Sequence, residues 1–251
     1  MALEEILTAF EQKKELFARP YLLSLENRDV IVKYLCSMLK LADEHSSDKG
    51  KTSPQQIIHG FCQRYGADEG EMQKLFSDPE RNWVDYRLYT AFSVFCQQQL
   101  SLGDEEFFQQ AADQSFLDYQ SKQIAAARFV PLNMVLSGMS GQFKNWTKVT
   151  EVEVEKLRKG AQSFRIKRKT LPGYKTKLAE ALSPELLQKV LHRDCDFTNY
   201  AFATTFQKLF NQPSLLVKRE KCEADGAEWS EYVVQPTHVY RTVLTEKLNN
   251  I

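Results

Sequence analysis

The 251-residue sequence has neither an excess of charge of one sign nor a long apolar run. Its 33 lysines and arginines balance 33 aspartates and glutamates, so the formal net charge is zero. Nucleic-acid binders neutralise phosphates with clustered basic side chains, so this balance argues against a nucleic-acid partner. Since no stretch approaches the about 18 consecutive apolar residues of a membrane-spanning helix, we also expect no membrane partner.

Cysteine is scarce as well, and its pattern excludes a disulfide framework. The five cysteines are odd in number and are scattered at Cys36, Cys62, Cys96, Cys195 and Cys222. Three of them lie on apolar helical faces, which is typical of a reducing compartment. The N-terminal segment MALEEILTAFEQKK has acidic before basic residues and no long apolar core, unlike a secretory signal. We therefore expect a cytoplasmic protein.

The sequence also lacks the patterns that carry catalysis or hold a cofactor. It contains no glycine-rich phosphate cradle, no dinucleotide fingerprint and no recognisable pair of nucleophile and base. The four histidines, His45, His59, His192 and His238, lie without the spacing of a two-histidine metal site. His59 is the candidate for a haem ligand, and an ordinary helical histidine is the alternative. The expectation is a protein that is not an enzyme and has no cofactor.

Helical periodicity, by contrast, extends over most of the first 146 residues. Ser53, Pro54 and Gln56 provide a cap, a first-turn proline and a capping-box residue, which predict the start of a helix. Apolar residues recur at helical spacing in the segments 3–10, 30–39, 57–65, 83–100, 104–116 and 131–146. The N-terminal portion of the chain is therefore predicted to be helical.

From residue 147 the hydrophobic period changes to that of strands. The segments 148–157 and 163–169 alternate on either side of Lys159-Gly160, which predicts a β-hairpin. Strand-like segments also flank the turn residues Ala224-Asp225-Gly226, which predicts a closing hairpin. Together the patterns predict an α+β fold, in which a helical N-terminal portion is followed by an antiparallel sheet with inserted helices.

Two separate helices are predicted ahead of the closing hairpin. Ser183-Pro184 provides a cap and a first-turn proline for a helix that runs through Leu191. A second helix is predicted over about 197–211, and Asp196 is interpreted as its N-cap. Leu171-Pro172-Gly173 is interpreted as a turn.

Residues 125–235 resemble the four-vinyl-reductase small-molecule-binding domain found at the N-terminus of bacterial sensor kinases, cyclases and regulators. The hairpin 147–168, Leu-Pro-Gly-Tyr at 171–174, Cys195-Asp196-Phe197 and the closing hairpin 217–233 carry the resemblance. It implies a non-enzymatic sensor or regulatory module that binds a small apolar ligand and signals through dimerisation or an attached output domain. The alternatives are a protein–protein interaction module without a ligand, or an enzyme or pigment-pathway protein of the same fold.

The resemblance divides the chain into a lead-in at 1–124, a ligand-binding-like α+β domain at 125–237 and an output or dimerisation segment at 238–251. Val239, Val243 and Leu244 form an apolar stripe on this last segment, so a homodimer is expected. The ligand is expected between helices and sheet, and the aromatic candidates for its site are Phe129, Phe143, Trp146, Phe202 and Phe206. Ligand pockets are mostly apolar, and plain core packing is the alternative interpretation of these residues.

Some members of the resembled family hold a structural zinc ion with cysteines and a glutamate. The sequence matches that pattern at Cys195, Cys222 and Glu220, whereas Trp229 stands where a further cysteine is expected. A structural zinc site takes four ligands, and an indole cannot ligate a cation, so no metal is expected. The alternative role of the two cysteines is that of small buried apolar residues.

Overall fold

A computed structural model of the chain gives an α+β fold, as the sequence predicts. It describes residues 2–45, 52–127, 150–156 and 163–235, together with 130, 134, 135 and 138. A helical lobe built from the first part of the chain packs beside a four-stranded antiparallel sheet. Among the described residues, no helix combines the length and the hydropathy needed to cross a bilayer.

The helical lobe contains eight helices within the described residues. They are α1 (Ala2–Glu11), α2 (Pro20–Asn27), α3 (Lys33–His45), α4 (Pro54–Tyr65), α5 (Glu69–Ser77), α6 (Tyr86–Leu100), α7 (Asp104–Ser115) and α8 (Ser121–Ala127). One turn of π-helix, Phe116–Gln120, joins α7 to α8. The two-residue strands β1 (Val30–Ile31) and β2 (Trp83–Val84) pair antiparallel within this lobe.

In the second part of the chain, two helices lie between two pairs of strands. The elements of this part are β3 (Thr150–Lys156), β4 (Phe164–Thr170), α9 (Pro172–Ala179), α10 (Pro184–Phe210), β5 (Leu216–Lys221) and β6 (Ser230–Gln235). A short 3-10 helix, Glu223–Asp225, connects β5 to β6. Both predicted hairpins are confirmed, since β3 pairs with β4 and β5 pairs with β6.

Local capping signals fix several helix starts where the sequence places them. The Ser53 hydroxyl accepts the backbone N–H of Gln56, and the Gln56 side chain accepts the N–H of Ser53, which completes a capping box. Gly66 ends α4 with a φ of 65°, a left-handed conformation that glycine adopts without strain. The predicted turn at 171–173 is wrong, because Pro172 is instead the first residue of α9.

The sheet has the order β3-β4-β6-β5, so β4 is a central strand. Ile166 lies opposite Val154 on β3 and opposite Tyr232 on β6. Along β4 the residues Phe164, Ile166, Arg168 and Thr170 are buried, and the three residues between them are half-buried. One face of the strand is thus covered by helices while the other carries polar side chains towards solvent.

The prediction of two helices between residues 184 and 211 is wrong. The structure has one continuous helix, α10, of 27 residues from Pro184 to Phe210. No proline or glycine follows Pro184 within this segment, so no residue interrupts the helical hydrogen bonds. Asp196 therefore lies in mid-helix and is not an N-cap, and its carboxylate accepts a hydrogen bond from the Arg219 guanidinium at 2.5 Å.

Helix α10 belongs to two hydrophobic cores. Val190 and Leu191 join the first core, which fills the helical lobe, whereas Phe202, Phe206 and Leu209 join the second core beneath the sheet. The first core also includes Tyr174 and Leu178 of α9. The division of the chain at residues 124 and 125 stays a prediction, and the segment 238–251 lies outside the described residues.

Candidate functional site

Two of the five predicted ligand-binding residues lie in the described part of the chain. Phe202 and Phe206, one turn apart on α10, are 1% and 0% exposed. The Phe206 ring meets Phe164 edge-on with centroids 4.9 Å apart, and the Phe202 ring meets Tyr232 edge-on at 5.3 Å. The structure therefore brings these two residues together in a packed aromatic cluster of the second core.

The other three predicted residues, Phe129, Phe143 and Trp146, lie outside the described residues. The second core does extend towards that segment, because Ala127 and Val135 pack against it. Whether all five side chains line one apolar ligand site therefore stays a prediction.

A buried ion pair lies next to the aromatic cluster. Arg168 of β4 donates to the carboxylate of Asp194 on α10 and, at 3.2 Å, to the hydroxyl of Thr198. The two ionic side chains are only 9% and 13% exposed. Burial by itself lowers the pKa of Arg168, but Asp194 and the neighbouring groups Tyr232, Cys195 and Tyr86 together more than offset that effect, so the guanidinium remains charged.

The sequence analysis did not single out Arg168 as an interior residue. The signal that could have found it is its strand parity with Phe164 and Ile166, since residues two apart on a strand face the same side. Three buried phenols, Tyr86, Tyr89 and Tyr174, have raised pKa values, chiefly because burial disfavours the phenolate. They remain neutral hydrogen-bonding groups around the ion pair.

A small cavity of about 30 Å³ opens between α3, α6, α7 and α10. This volume is about that of one water molecule in the liquid. Its polar lining consists of Tyr86, Tyr89, Thr90, Ser93, Arg193 and Asp194. The Thr90 hydroxyl is buried and has no hydrogen-bond partner among the described residues. The cavity therefore fits an ordered water and is too small for an organic ligand.

A second polar cluster, which we call the thiol site, consists of Cys195, Cys222, His192, Asp225 and Ser230. The sulfur atoms of Cys195 and Cys222 lie 3.1 Å apart, and the two residues are 3% and 2% exposed. The Ser230 hydroxyl is 3.2 Å from the Cys195 sulfur. His192 places Nδ1 3.7 Å from the Cys222 sulfur and Nε2 3.1 Å from the Asp225 carboxylate.

The surroundings of Cys222 favour its thiolate. The hydrogen bond from the Cys195 thiol lowers the pKa of Cys222 to about 6 against the opposing effect of burial. The backbone N–H of Ala224 and the positive charges of Arg219 and His192 lower the pKa further. The same sulfur–sulfur hydrogen bond, together with burial, raises the pKa of Cys195 well above its ordinary value. By contrast, burial raises the pKa of Cys62 to about 11.

Cys195 and Cys222 lie together as predicted, but the groups around them differ from those expected. The prediction placed Glu220 beside Cys222 by strand parity, whereas the pairing of β5 with β6 shifts register between Arg219 and Lys221. The Glu220 carboxylate instead accepts from the Arg165 guanidinium at 3.3 Å, in an exposed pair.

Trp229, the expected substitute for a metal ligand, has its ring 5.3 Å from the Lys169 ammonium. His238 lies outside the described residues. The residue that the sequence analysis missed is His192, which precedes Cys195 by three positions. Residues three apart on a helix share a face, and this spacing could have found it.

The described residues do not assemble the zinc ligands that the four-vinyl-reductase resemblance implies. Two thiolates bound 2.3 Å from a tetrahedral zinc ion would lie about 3.8 Å apart, whereas the two sulfurs here lie 3.1 Å apart. His192, Cys222 and Asp225 do present potential ligand atoms within 4.8 Å of one another. The carboxylate, however, engages the imidazole nitrogen that faces away from the sulfurs. The absence of a metal remains an expectation.

Comparison with solved structures identifies the fold. An oxygen-binding H-NOX domain related to soluble guanylate cyclases matches with a TM-score of 0.51 and 9% identity, over 82% of this chain and 95% of that chain. The chain has an H-NOX-like fold. An unliganded Fe(II) H-NOX mutant from K. algicida matches with a TM-score of 0.46 and 9% identity, over 82% of this chain and 96% of that one.

A third H-NOX domain, SO2144 from Shewanella oneidensis, matches with a TM-score of 0.45 and 11% identity, over 83% of this chain and 98% of that one. No family model and no curated protein matches the sequence. The likeness shows the fold, whereas the four-vinyl-reductase resemblance stays a prediction.

The described residues do not fit the haem that H-NOX structures of this fold contain. Haem iron needs an axial side chain, commonly an imidazole. His59 lies on the outer surface of α4, where its ring contacts Glu69 at 3.1 Å and Gln63 at 2.9 Å. His192 is held by Asp225 in the thiol site. Neither imidazole reaches the cavity between α6 and α10, which has room for one water molecule.

Proposed function

We propose that the chain is a non-enzymatic sensor or regulatory module that binds a small apolar ligand between its helices and its sheet. The course of α10 is the observation that carries this proposal. The helix joins both cores, with Val190 at one end and Phe206 at the other. At about 1.5 Å per residue, its 27 residues extend over roughly 40 Å, so movement at one core is transmitted to the other.

The second core is the favoured place for the ligand. Its described lining is apolar and aromatic, with Phe116, Phe164, Phe202 and Phe206 all buried. Ligand pockets are mostly lined by such side chains, with a few polar groups that orient the ligand. The Arg168–Asp194 pair at the edge of this core provides polar groups of that kind.

The proposed signal leaves the module through self-association or an attached output domain. The apolar stripe of the segment 238–251 favours a homodimer. Deleting this segment should leave a folded protein that self-associates more weakly in sedimentation. A full-length protein that stays monomeric at high concentration would contradict the dimer.

The proposal is tested by mass spectrometry of organic extracts from the purified protein. We expect a co-purified apolar compound, which Phe206→Ala should reduce while the matched first-core variant Phe107→Ala retains it. Both residues are fully buried, so each variant should lose stability and only one should lose ligand. A haem absorption band in the fresh protein would show that the bound group is haem and not a small apolar ligand, and would overturn the proposal.

The second candidate is a protein–protein interaction module without a ligand. The observation that favours it is the edge-to-face packing of Phe202 and Phe206 against Tyr232 and Phe164. For such a module we expect empty extracts from both variants. Phe206→Ala would then cost the about 3–5 kcal/mol of an ordinary core phenylalanine.

A further inference from the structure

The thiol site joins two cysteines that are distant in sequence. Cys195 lies in the middle of α10, and Cys222 follows the last residue of β5, at the edge of the sheet. Their sulfur atoms are 3.1 Å apart, closer than the van der Waals separation of two unbonded sulfurs and within hydrogen-bond distance of each other. The other three cysteines, Cys36, Cys62 and Cys96, are free and lie on three different helices.

Several groups around Cys222 stabilise negative charge on its sulfur. The Cys195 sulfur lies 3.1 Å from it, and Nδ1 of His192 lies 3.7 Å away. Asp225 holds the opposite ring nitrogen of His192 at 3.1 Å, which orients the ring towards the sulfur. Electropositive surroundings of this kind distinguish reactive cysteines from inert buried ones.

The burial of the thiol site limits the size of a reagent that can reach it. Cys222 is 2% exposed, so a peptide or another large substrate cannot reach its sulfur in the folded protein. The covering side chains are less buried, since those of His192 and Asp225 are 33% and 62% exposed. We therefore expect only a molecule as small as hydrogen peroxide to reach the sulfur past these side chains.

We propose that Cys222 and Cys195 form a peroxide-reactive dithiol that closes into a disulfide. The oxidant is hydrogen peroxide or a small organic hydroperoxide. This site is independent of the apolar ligand proposed above, since it requires neither the second core nor residues 128–149.

The reaction balances in two steps. The Cys222 thiolate attacks one peroxide oxygen, the O–O bond breaks, and the departing hydroxide takes a proton, which leaves a sulfenic acid and water. The Cys195 sulfur then attacks the Cys222 sulfur, the S–O bond breaks, and hydroxide leaves with the Cys195 proton as a second water. The two thiols lose two electrons in total, and the peroxide gains them. A dithiol reductant reverses the disulfide.

The consequence for the fold is a covalent link between the middle of α10 and the edge of the sheet. The disulfide would fix the one helix that belongs to both cores relative to β5 and β6. We therefore expect the oxidised protein to have a higher melting temperature than the reduced protein, because the link restricts the unfolded chain.

The test is titration of the reduced full-length chain with hydrogen peroxide, followed by peptide mapping without reductant. We expect a linked pair of peptides containing Cys195 and Cys222, with the loss of two thiols and full reversal by dithiothreitol. Cys195→Ser should stop at a Cys222 sulfenic acid that dimedone traps, and Cys222→Ser should leave Cys195 reduced. The matched control Cys62→Ser, at a buried cysteine without a second thiol, should behave as the wild type.

Competitive oxidation of the unmodified protein by limiting hydrogen peroxide gives a second readout that needs no variant. Cys222 should be oxidised on the order of tenfold faster than Cys62 near neutral pH, because more of it is thiolate. Oxidation of Cys222 no faster than that of Cys62 would overturn the proposal. So would oxidation of Cys222 to sulfinic acid with Cys195 still reduced, or a bound metal that must be chelated before either thiol reacts.

Discussion

The two hydrophobic cores and the polar layer between them are built on different principles. In the first core the Phe61 ring contacts those of Phe17, Tyr65, Phe92 and Phe95, so stabilisation comes from apolar area and ring geometry. Between the cores, the structure buries ionic and thiol groups that must find specific partners. An apolar side chain can pack against different apolar neighbours, whereas a buried charge is destabilising unless it keeps its hydrogen-bonding or ionic partner.

The polar layer extends beyond the ion pair and the thiol site. The buried carboxylate of Glu223 accepts the backbone N–H and the hydroxyl of Thr170, both at 2.9 Å, and the Lys175 ammonium at 3.0 Å. These bonds tie the turn after β5 to the end of β4 and to α9. The layer therefore determines how the sheet sits against the helices, while the cores supply most of the stability.

The largest expected effect comes from removing one partner of the buried ion pair. Asp194→Ala should lower the free energy of unfolding by about 3–5 kcal/mol, because Arg168 keeps a buried charge without a counter-charge. The control is Glu228→Ala, which breaks the exposed 2.9 Å pair with Lys169 and should cost far less stability, because solvent screens that pair. Urea unfolding measures both. Similar losses for the two variants would remove the distinction between the polar layer and the surface.

An intermediate effect is expected on the ionisation of Cys222. In the reduced protein one thiolate should titrate at about pH 6, and Cys195→Ala should move it towards the ordinary value of about 8.5, because the hydrogen-bond donor is lost. Thiolate absorbance in the ultraviolet follows this titration. Cys62→Ala is the control and should leave the midpoint unchanged.

The lowered pKa of Cys222 also makes the free energy of unfolding depend on pH. The pKa of Cys222 is lower in the folded than in the unfolded chain, so its thiolate stabilises the fold above the unfolded value and this contribution is lost as the pH falls through about 6. The difference in unfolding free energy between the reduced wild type and Cys222→Ser should therefore grow from pH 6 to pH 8.5. A difference that shrinks over this interval would contradict the assignment of the thiolate to Cys222.

The smallest expected effect concerns helix caps. Ser183→Ala removes the hydroxyl that accepts the backbone N–H of Leu186 at the start of α10, and should cost about 1 kcal/mol. Ser53→Ala at the start of α4 is the matched change within the helical lobe. Equal losses in thermal melts would show that capping energies do not depend on which region a helix belongs to.

Local patterns predicted most of the fold. The capping box at Ser53, most of the helical stripes and the two hairpins depend on residues within a few positions of one another, and they are present. The predicted helices at 30–39 and 83–100 were wrong at their starts, because Val30–Ile31 and Trp83–Val84 pair as short strands. The predicted helix at 131–146 lies almost wholly outside the described residues. The predicted helix boundary near Asp196 was wrong. Aspartate is a good N-cap residue, but it is also accommodated in mid-helix when a partner such as Arg219 donates to its carboxylate. Capping preference alone does not distinguish these two environments.

The candidate site was less predictable, because its groups meet only after the chain folds. Cys195 and Cys222 were paired through a family resemblance. His192 lies beside them because it is three residues before Cys195 on one helix, and this spacing is informative only if α10 is continuous through residue 195. The predicted position of Glu220 beside Cys222 was wrong because the register of β5 shifts between Arg219 and Lys221, and no local sequence pattern predicts this shift. The burial of Arg168 could be predicted only if the buried face of β4 was already known.

The shared helix α10 also has a consequence for cooperativity. Because its first turns complete the core of the helical lobe and its last turns complete the core under the sheet, neither core remains intact once α10 unravels. The two regions should therefore unfold in one transition, with coincident midpoints from far-ultraviolet circular dichroism and from tryptophan fluorescence. A chain cut near residue 125 would expose apolar surface on both fragments, and each should depend on the other for folding.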